Sequence, residues 1–169
     1  MFKHSIVIAT ALTAGIALGA AAEQVPITGT VESRCIIQTD SAGTFGNPNA
    51  YTLTTTPADG GESAVVRFDI TLADAYYAEI TPPDSFSSAP ALPDQVVWSG
   101  SVEVSAVSDA TGMGTYETSK VELGNMDRYD MTATGSTWFK INATASMGGN
   151  KAFPGGNYTA VAEAVCVAK

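Results

Sequence analysis

From Trp138 to Met147 the chain alternates without a break. Phe139, Ile141, Ala143, Ala145 and Met147 fall on one side of an extended strand; Trp138, Lys140, Asn142, Thr144 and Ser146 fall on the other. Side chains in a strand point to opposite faces in turn, so a period of two with one apolar set means a strand with one dry face. Ala64–Leu72 repeats the pattern, with Ala64, Val66, Phe68, Ile70 and Leu72 against Val65, Arg67, Asp69 and Thr71. Strands of this kind must cover one another's apolar faces, which restricts the chain to packed antiparallel sheets.

Weaker strand signals fill the rest. Tyr51–Thr55 and Tyr76–Thr81 are short candidates, and Tyr76-Tyr77 must turn one ring outward. Val96–Val107 puts Val96, Trp98, Val102, Val104 and Ala106 on one face, with Gly100 marking a bulge. Thr115–Leu123 and Arg128–Thr134 flank a turn at Gly124-Asn125-Met126-Asp127, and Asn157–Ala168 makes the last strand. Turn chemistry separates them at Thr39–Asn49, at Pro57-Ala58-Asp59-Gly60-Gly61 and at the flexible loop Ser108–Gly114. Pro82–Pro93, with four prolines, reads as a long surface connection within one domain. Eight or nine strands with no convincing helical period predict an all-β fold, an immunoglobulin-like antiparallel β-sandwich of Greek-key type.

The start of the chain bounds the compartment. Met-Phe-Lys-His, an apolar run from Ser5 to about Leu18 and then Gly19-Ala20-Ala21-Ala22 have the order of a secretory signal peptide, residues 1–22. Residues 23–169 are then one exported domain, and no segment approaches the ~20 apolar residues of a membrane span. The net charge of −9 repels nucleic acid and anionic membranes. The two cysteines, Cys35 and Cys166, are expected to pair in an oxidising compartment. That bridge closes a loop of ~130 residues, worth about 4–5 kcal/mol in the chain-entropy model.

Catalytic chemistry finds little to work with. The single histidine, His4, lies in the signal segment, which removes Ser-His-Asp and Cys-His arrangements and histidine metal sites from residues 23–169. The cysteines form no Cys-x-x-Cys pair, no motif places two acids in one cleft, and the run Asn125–Asp130 lacks the spacing of a calcium loop. The expectation is a protein that is not an enzyme and carries no cofactor. Among the aromatics, Trp98 shares a face with valines and reads as core. Trp138 lies opposite Phe139 and Ile141 and is the candidate ligand contact.

Residues 24–37 join strand and cysteine. Val25, Ile27, Val31, Cys35 and Ile37 alternate with polar positions across Gly29 and Ser33. The run Ile27-Thr28-Gly29-Thr30-Val31-Glu32-Ser33-Arg34-Cys35-Ile36-Ile37, followed by Gly43-Thr44-Phe45-Gly46, resembles the start of bacterial fimbrial subunits. The run Phe153–Val161 is similar to the closing strand of those subunits and of spore-coat-U-like secreted proteins. The resemblance covers about forty residues at the two ends of the chain.

The resemblance implies a structural subunit of a surface filament or coat. A periplasmic chaperone and an outer-membrane usher would assemble it by strand contacts between like subunits. Val25 and Ile27 would then make the subunit contact. A bridge between first and last strands suits a self-complete sandwich equally well. The alternative is therefore a self-contained secreted binding module, for carbohydrate or adhesion, using Trp138.

Overall fold

In the computed structural model, the described residues are 28–30, 34–148 and 151–169. The predicted signal segment 1–22 and the contact residues Val25 and Ile27 lie outside them. Glu32–Lys169 forms one compact unit.

The most regular alternation makes the central strand. Numbered in chain order, the strands are β1 (Cys35–Ser41), β2 (Gly46–Asn49), β3 (Thr52–Thr54), β4 (Ala64–Ile70), β5 (Tyr76–Thr81) and β6 (Phe86–Ser88). They continue as β7 (Val96–Val107), β8 (Val121–Leu123), β9 (Met126–Met131), β10 (Gly135–Met147), β11 (Thr159–Ala160) and β12 (Glu163–Ala168). Along β10 every second residue from Thr137 to Met147 is buried. One edge of β10 pairs along its length with β7. The other pairs first with β4, from Gly135 to Ile141, and then with β3, from Thr144 to Ser146. With β1 beyond β4 and β2 beyond β3, this makes a six-stranded antiparallel sheet. A second antiparallel sheet runs β12-β5-β9-β8, and β11 and β6 form a small ribbon. Between β4 and β12 the chain repeatedly changes sheet, from β4 to β5, to β7, to β8–β9, to β10 and to β12.

The two larger sheets share one core. Val66, Phe68, Ile70, Val102, Phe139 and Ile141 come from the first, and Ala78, Ile80, Tyr129 and Met131 from the second. The Phe139 ring stands 5.4 Å from Phe68 within its own sheet and 4.5 Å from Tyr129 of the other. The Tyr129 hydroxyl, taken out of water by this packing, donates to the Val102 carbonyl at 3.1 Å. The all-β expectation therefore holds.

Several local expectations need correction. Of the strand expected over 24–37, residues 24–27 and 31–33 lie outside the described residues; β1 spans Cys35–Ser41, and Thr28–Thr30 are exposed without regular structure. Cys35 pairs with Ile70 at the end of β4, and Arg34 and Thr71 carry the contact one residue further, the Thr71 amide donating to the Arg34 carbonyl at 3.1 Å. Leu72, expected in the core, lies past β4 and is exposed. The bulge expected at Gly100 falls at Ser105 instead, where Phe139 pairs with Val104 and Trp138 with Ala106. It shifts the phase of β7, so Val107 rather than Ala106 packs on the core. Gly100 serves close approach: a Cβ there would stand 2.3 Å from the Pro82 side chain.

Two single turns of helix, α1 (Ala110–Met113) and α2 (Tyr116–Ser119), replace part of the predicted loop and the first part of the predicted strand Thr115–Leu123. Asp109 caps α1 by accepting from the Thr111 amide at 2.9 Å. The two turns drop Met113 and Tyr116 into the core, and the Tyr116 hydroxyl accepts from the Ala133 amide.

Candidate functional site

The first and last described strands meet at a seam. β1 is an edge of the six-stranded sheet and β12 an edge of the four-stranded one, and the Cys35–Cys166 disulfide joins them with a Cα separation of 6.3 Å. The pairing expected from the sequence is present. β1 hydrogen-bonds to β4 and β12 to β5; neither has a strand on its other side among the described residues. Cys35 and Ile37 pack on the core from β1, and Ala164 and Cys166 from β12. Apolar side chains also face outward here, with Ile36 43% and Val165 38% exposed. A sheet edge with unpaired amides and exposed apolar residues is a template for another strand.

Trp138 sits elsewhere, on the wet face of β10 as expected. Its cross-strand neighbour Arg67 lies over the ring, 5.8 Å from the centroid. The guanidinium is held in turn by Asp69 at 3.0 Å and by Gln38 at 2.5 Å, and Asp69 accepts from Ser136. The ring is thus already covered by a cation. Tyr77 is the outward member of its pair, between Arg128 at 5.2 Å and Lys169 at 5.0 Å.

A cleft near the Met147 end of β10 was not foreseen. It has a volume of about 730 Å³. On one side is the start of the β2–β3 hairpin with the segment before it, and on the other the run Phe153–Ala160. Its wall is a satellite aromatic cluster. Phe86 lies 4.6 Å from Trp98, 5.1 Å from Tyr158 and 6.1 Å from both Phe45 and Phe153. Trp98, expected in the main core, is the half-buried base of this cluster, because the ribbon of β6 and β11 folds over its end of β7.

The far wall is fixed by three contacts. The Phe153 amide donates to the Ala50 carbonyl at 2.8 Å, the Tyr158 hydroxyl donates to the Pro154 carbonyl at 2.5 Å, and Gly156 lies against Pro90. Gly156 has a φ of +153°, and a Cβ there would stand 2.5 Å from Pro90 Cγ. The five rings are spread from residue 45 to residue 158, so no local pattern announces them. The one sequence signal is the aromatic-flanked turn Phe153-Pro154-Gly155-Gly156-Asn157-Tyr158. Beside the cleft an apolar slot of about 90 Å³ opens toward Ala64, Ile141, Ala143 and Ala162.

Several acidic residues are tied up in ion pairs. Lys120 lies among Glu117, Glu122 and Asp127 at 3.5, 3.7 and 3.8 Å and donates to the Val102 carbonyl at 3.1 Å. Burial pushes the Asp127 carboxyl above its ordinary range against the opposing pull of Lys120. For the ammonium of Lys120, burial works downward, but Asp127 and Glu117 outweigh it and its pKa is raised. In the run Asn125–Asp130, Asn125 holds the Pro82 carbonyl, Asp127 faces Lys120 and Asp130 pairs with Lys169. Among the described residues no cluster of histidine, cysteine or acidic groups is arranged to hold a metal ion. No family model, curated protein or solved structure matches the chain.

Proposed function

We propose that this chain is an exported structural subunit of a bacterial surface filament or coat, an immunoglobulin-like Greek-key sandwich that assembles through strand contacts between copies. The observation that carries the reading is the seam at Cys35–Cys166. Two sheet edges are held side by side there, each without a second strand partner among the described residues, and Ile36 and Val165 are exposed beside them. Soluble proteins usually cover such edges or blunt them with charge. The run that precedes β1 has the alternation of a strand, with Val25 and Ile27 as its apolar contacts. Repeated changes of sheet along the chain support the Greek-key reading. A periplasmic chaperone that covers the edges before assembly, and an outer-membrane usher, fit this scheme.

The test compares the full exported chain with one truncated so that it starts at Gly29, by size-exclusion chromatography with light scattering. The full chain is expected to form multimers and the truncated one to stay monomeric with an unchanged β circular dichroism spectrum. Equal assembly of both would overturn the role of Val25 and Ile27.

A further inference from the structure

We propose that the cleft between the β2–β3 hairpin and the run Phe153–Ala160 is a binding site for neutral oligosaccharide. The site is separate from the assembly reading, since a chain that stays monomeric keeps the cleft intact. Its volume of about 730 Å³ falls within the ~300–1,000 Å³ typical of small-molecule sites.

The lining selects the ligand. Among the described residues none lining the cleft is charged, in a chain of net charge −9. An anion would find no cation in it and would approach through a repulsive field. A cation would find no carboxylate. Three half-buried rings, Phe45, Phe153 and Tyr158, offer apolar surface. Between them lie polar groups that nothing else uses. Among the described residues the side chains of Asn157, Thr44 and Thr159 make no hydrogen bond. Asn47 spends its amide nitrogen on the Asn49 and Thr52 carbonyls, which leaves its Oδ1 as an acceptor. A purely apolar ligand would strip water from these groups without replacing it, which is costly. A pyranose ring matches both demands: its C–H face stacks on an aromatic ring and its hydroxyl rim pairs with amides and threonine hydroxyls. The wall is built before any ligand arrives: Phe153 and Tyr158 are each hydrogen-bonded to backbone and pack on Phe86, which in turn packs on Trp98. Preformed aromatic walls lower the ordering cost of binding.

Trp98 is the reporter. In a Trp138→Phe background it is the only tryptophan left, and it lies 6.3 Å from the cleft residue Phe45. The full chain is titrated with cellopentaose, maltopentaose, chitopentaose and mannopentaose, and with a sialylated oligosaccharide as the anionic control. The readouts are Trp98 fluorescence and isothermal titration calorimetry. Saturable binding of at least one neutral probe, and weaker or no binding of the sialylated one, is expected. Asn157→Ala, on the exposed rim, should weaken binding about threefold to tenfold, and Tyr158→Ala at least about tenfold. Trp138→Ala should leave the affinity unchanged by calorimetry. Failure of all four neutral probes to bind, tighter binding of the sialylated one, or binding that Trp138→Ala abolishes and Asn157→Ala spares would overturn the proposal. Loss of multimers on truncation at Gly29 would change none of these readouts, so the two readings fail independently.

Discussion

Cys35 and Cys166 lie on edge strands of two different sheets, and their bond is a covalent tie between those sheets at the seam. The main core does not depend on it: Phe68, Phe139, Ile80 and Tyr129 pack with their side chains fully buried. The Cys35→Ser/Cys166→Ser double variant is therefore expected to fold but to lose about 2–5 kcal/mol, with the chain-entropy value at the upper end. Urea unfolding followed by circular dichroism reads this as a lower midpoint with a native spectrum before the transition.

Lys120 is the shared cation of Glu117, Glu122 and Asp127, so removing it leaves carboxylates facing one another. Lys120→Met should cost about 2 kcal/mol at pH 7. The loss should shrink as the pH falls toward the raised pKa of Asp127, because the folded state then takes up a proton that removes the unpaired charge. In the unaltered protein the sign is opposite at the alkaline end. The Lys120 pKa is raised above 10.5, so its contribution is complete below that pH and fades as the pH climbs past the folded value. Urea midpoints at pH 4, 7 and 11 for both proteins check both statements.

Gly46 and Gly61 interlock beneath the β2–β3 hairpin. A Cβ on Gly46 would lie 2.1 Å from the Asp59 carbonyl oxygen and 2.5 Å from the Gly61 amide nitrogen, both backbone atoms that cannot swing aside. Gly46→Ala should destabilise by about 3 kcal/mol. Gly148→Ala, where a Cβ meets nothing within 4 Å, should stay within about 0.5 kcal/mol. Thermal melts of the pair distinguish close approach from a general intolerance of side chains.

Tyr129 contributes more through its ring than through its hydroxyl. Its ring packs on Phe139, while the Val102 carbonyl it bonds also accepts from Lys120. Tyr129→Phe should cost about 1 kcal/mol, since the carbonyl keeps a partner. Tyr129→Ala should cost about 3–5 kcal/mol through the cavity it leaves. Denaturant unfolding of both variants gives the ratio.

The long alternating strands were legible residue by residue. β10 buries the set from Phe139 to Met147 that its period of two selects, and β5 and β7 have the bounds their patterns suggest. Interruptions were legible only where the cause is local, as at Pro57–Gly61. Misses came where a distant partner decides. Ala106 faces outward because of a bulge opposite Trp138, and Tyr116 leaves an extended path to fill the core under Ala133. Of the residues expected to carry function, Cys35 and Cys166 come together as the spacing-blind pairing rule implied. Trp138 lies on the wet face as expected but is half-buried and covered by Arg67. The cleft was invisible because its five rings lie on four separate segments brought together by the ribbon of β6 and β11.

Subunit assembly by strand contacts is tested most directly on protein taken from its native cell surface and run on an SDS gel, unboiled beside boiled. Strand exchange buries a continuous ladder of backbone hydrogen bonds that detergent alone does not open. The expected result is a ladder of multiples in the unboiled lane that collapses to one band on boiling. A single monomer band in both lanes would contradict the assembly reading.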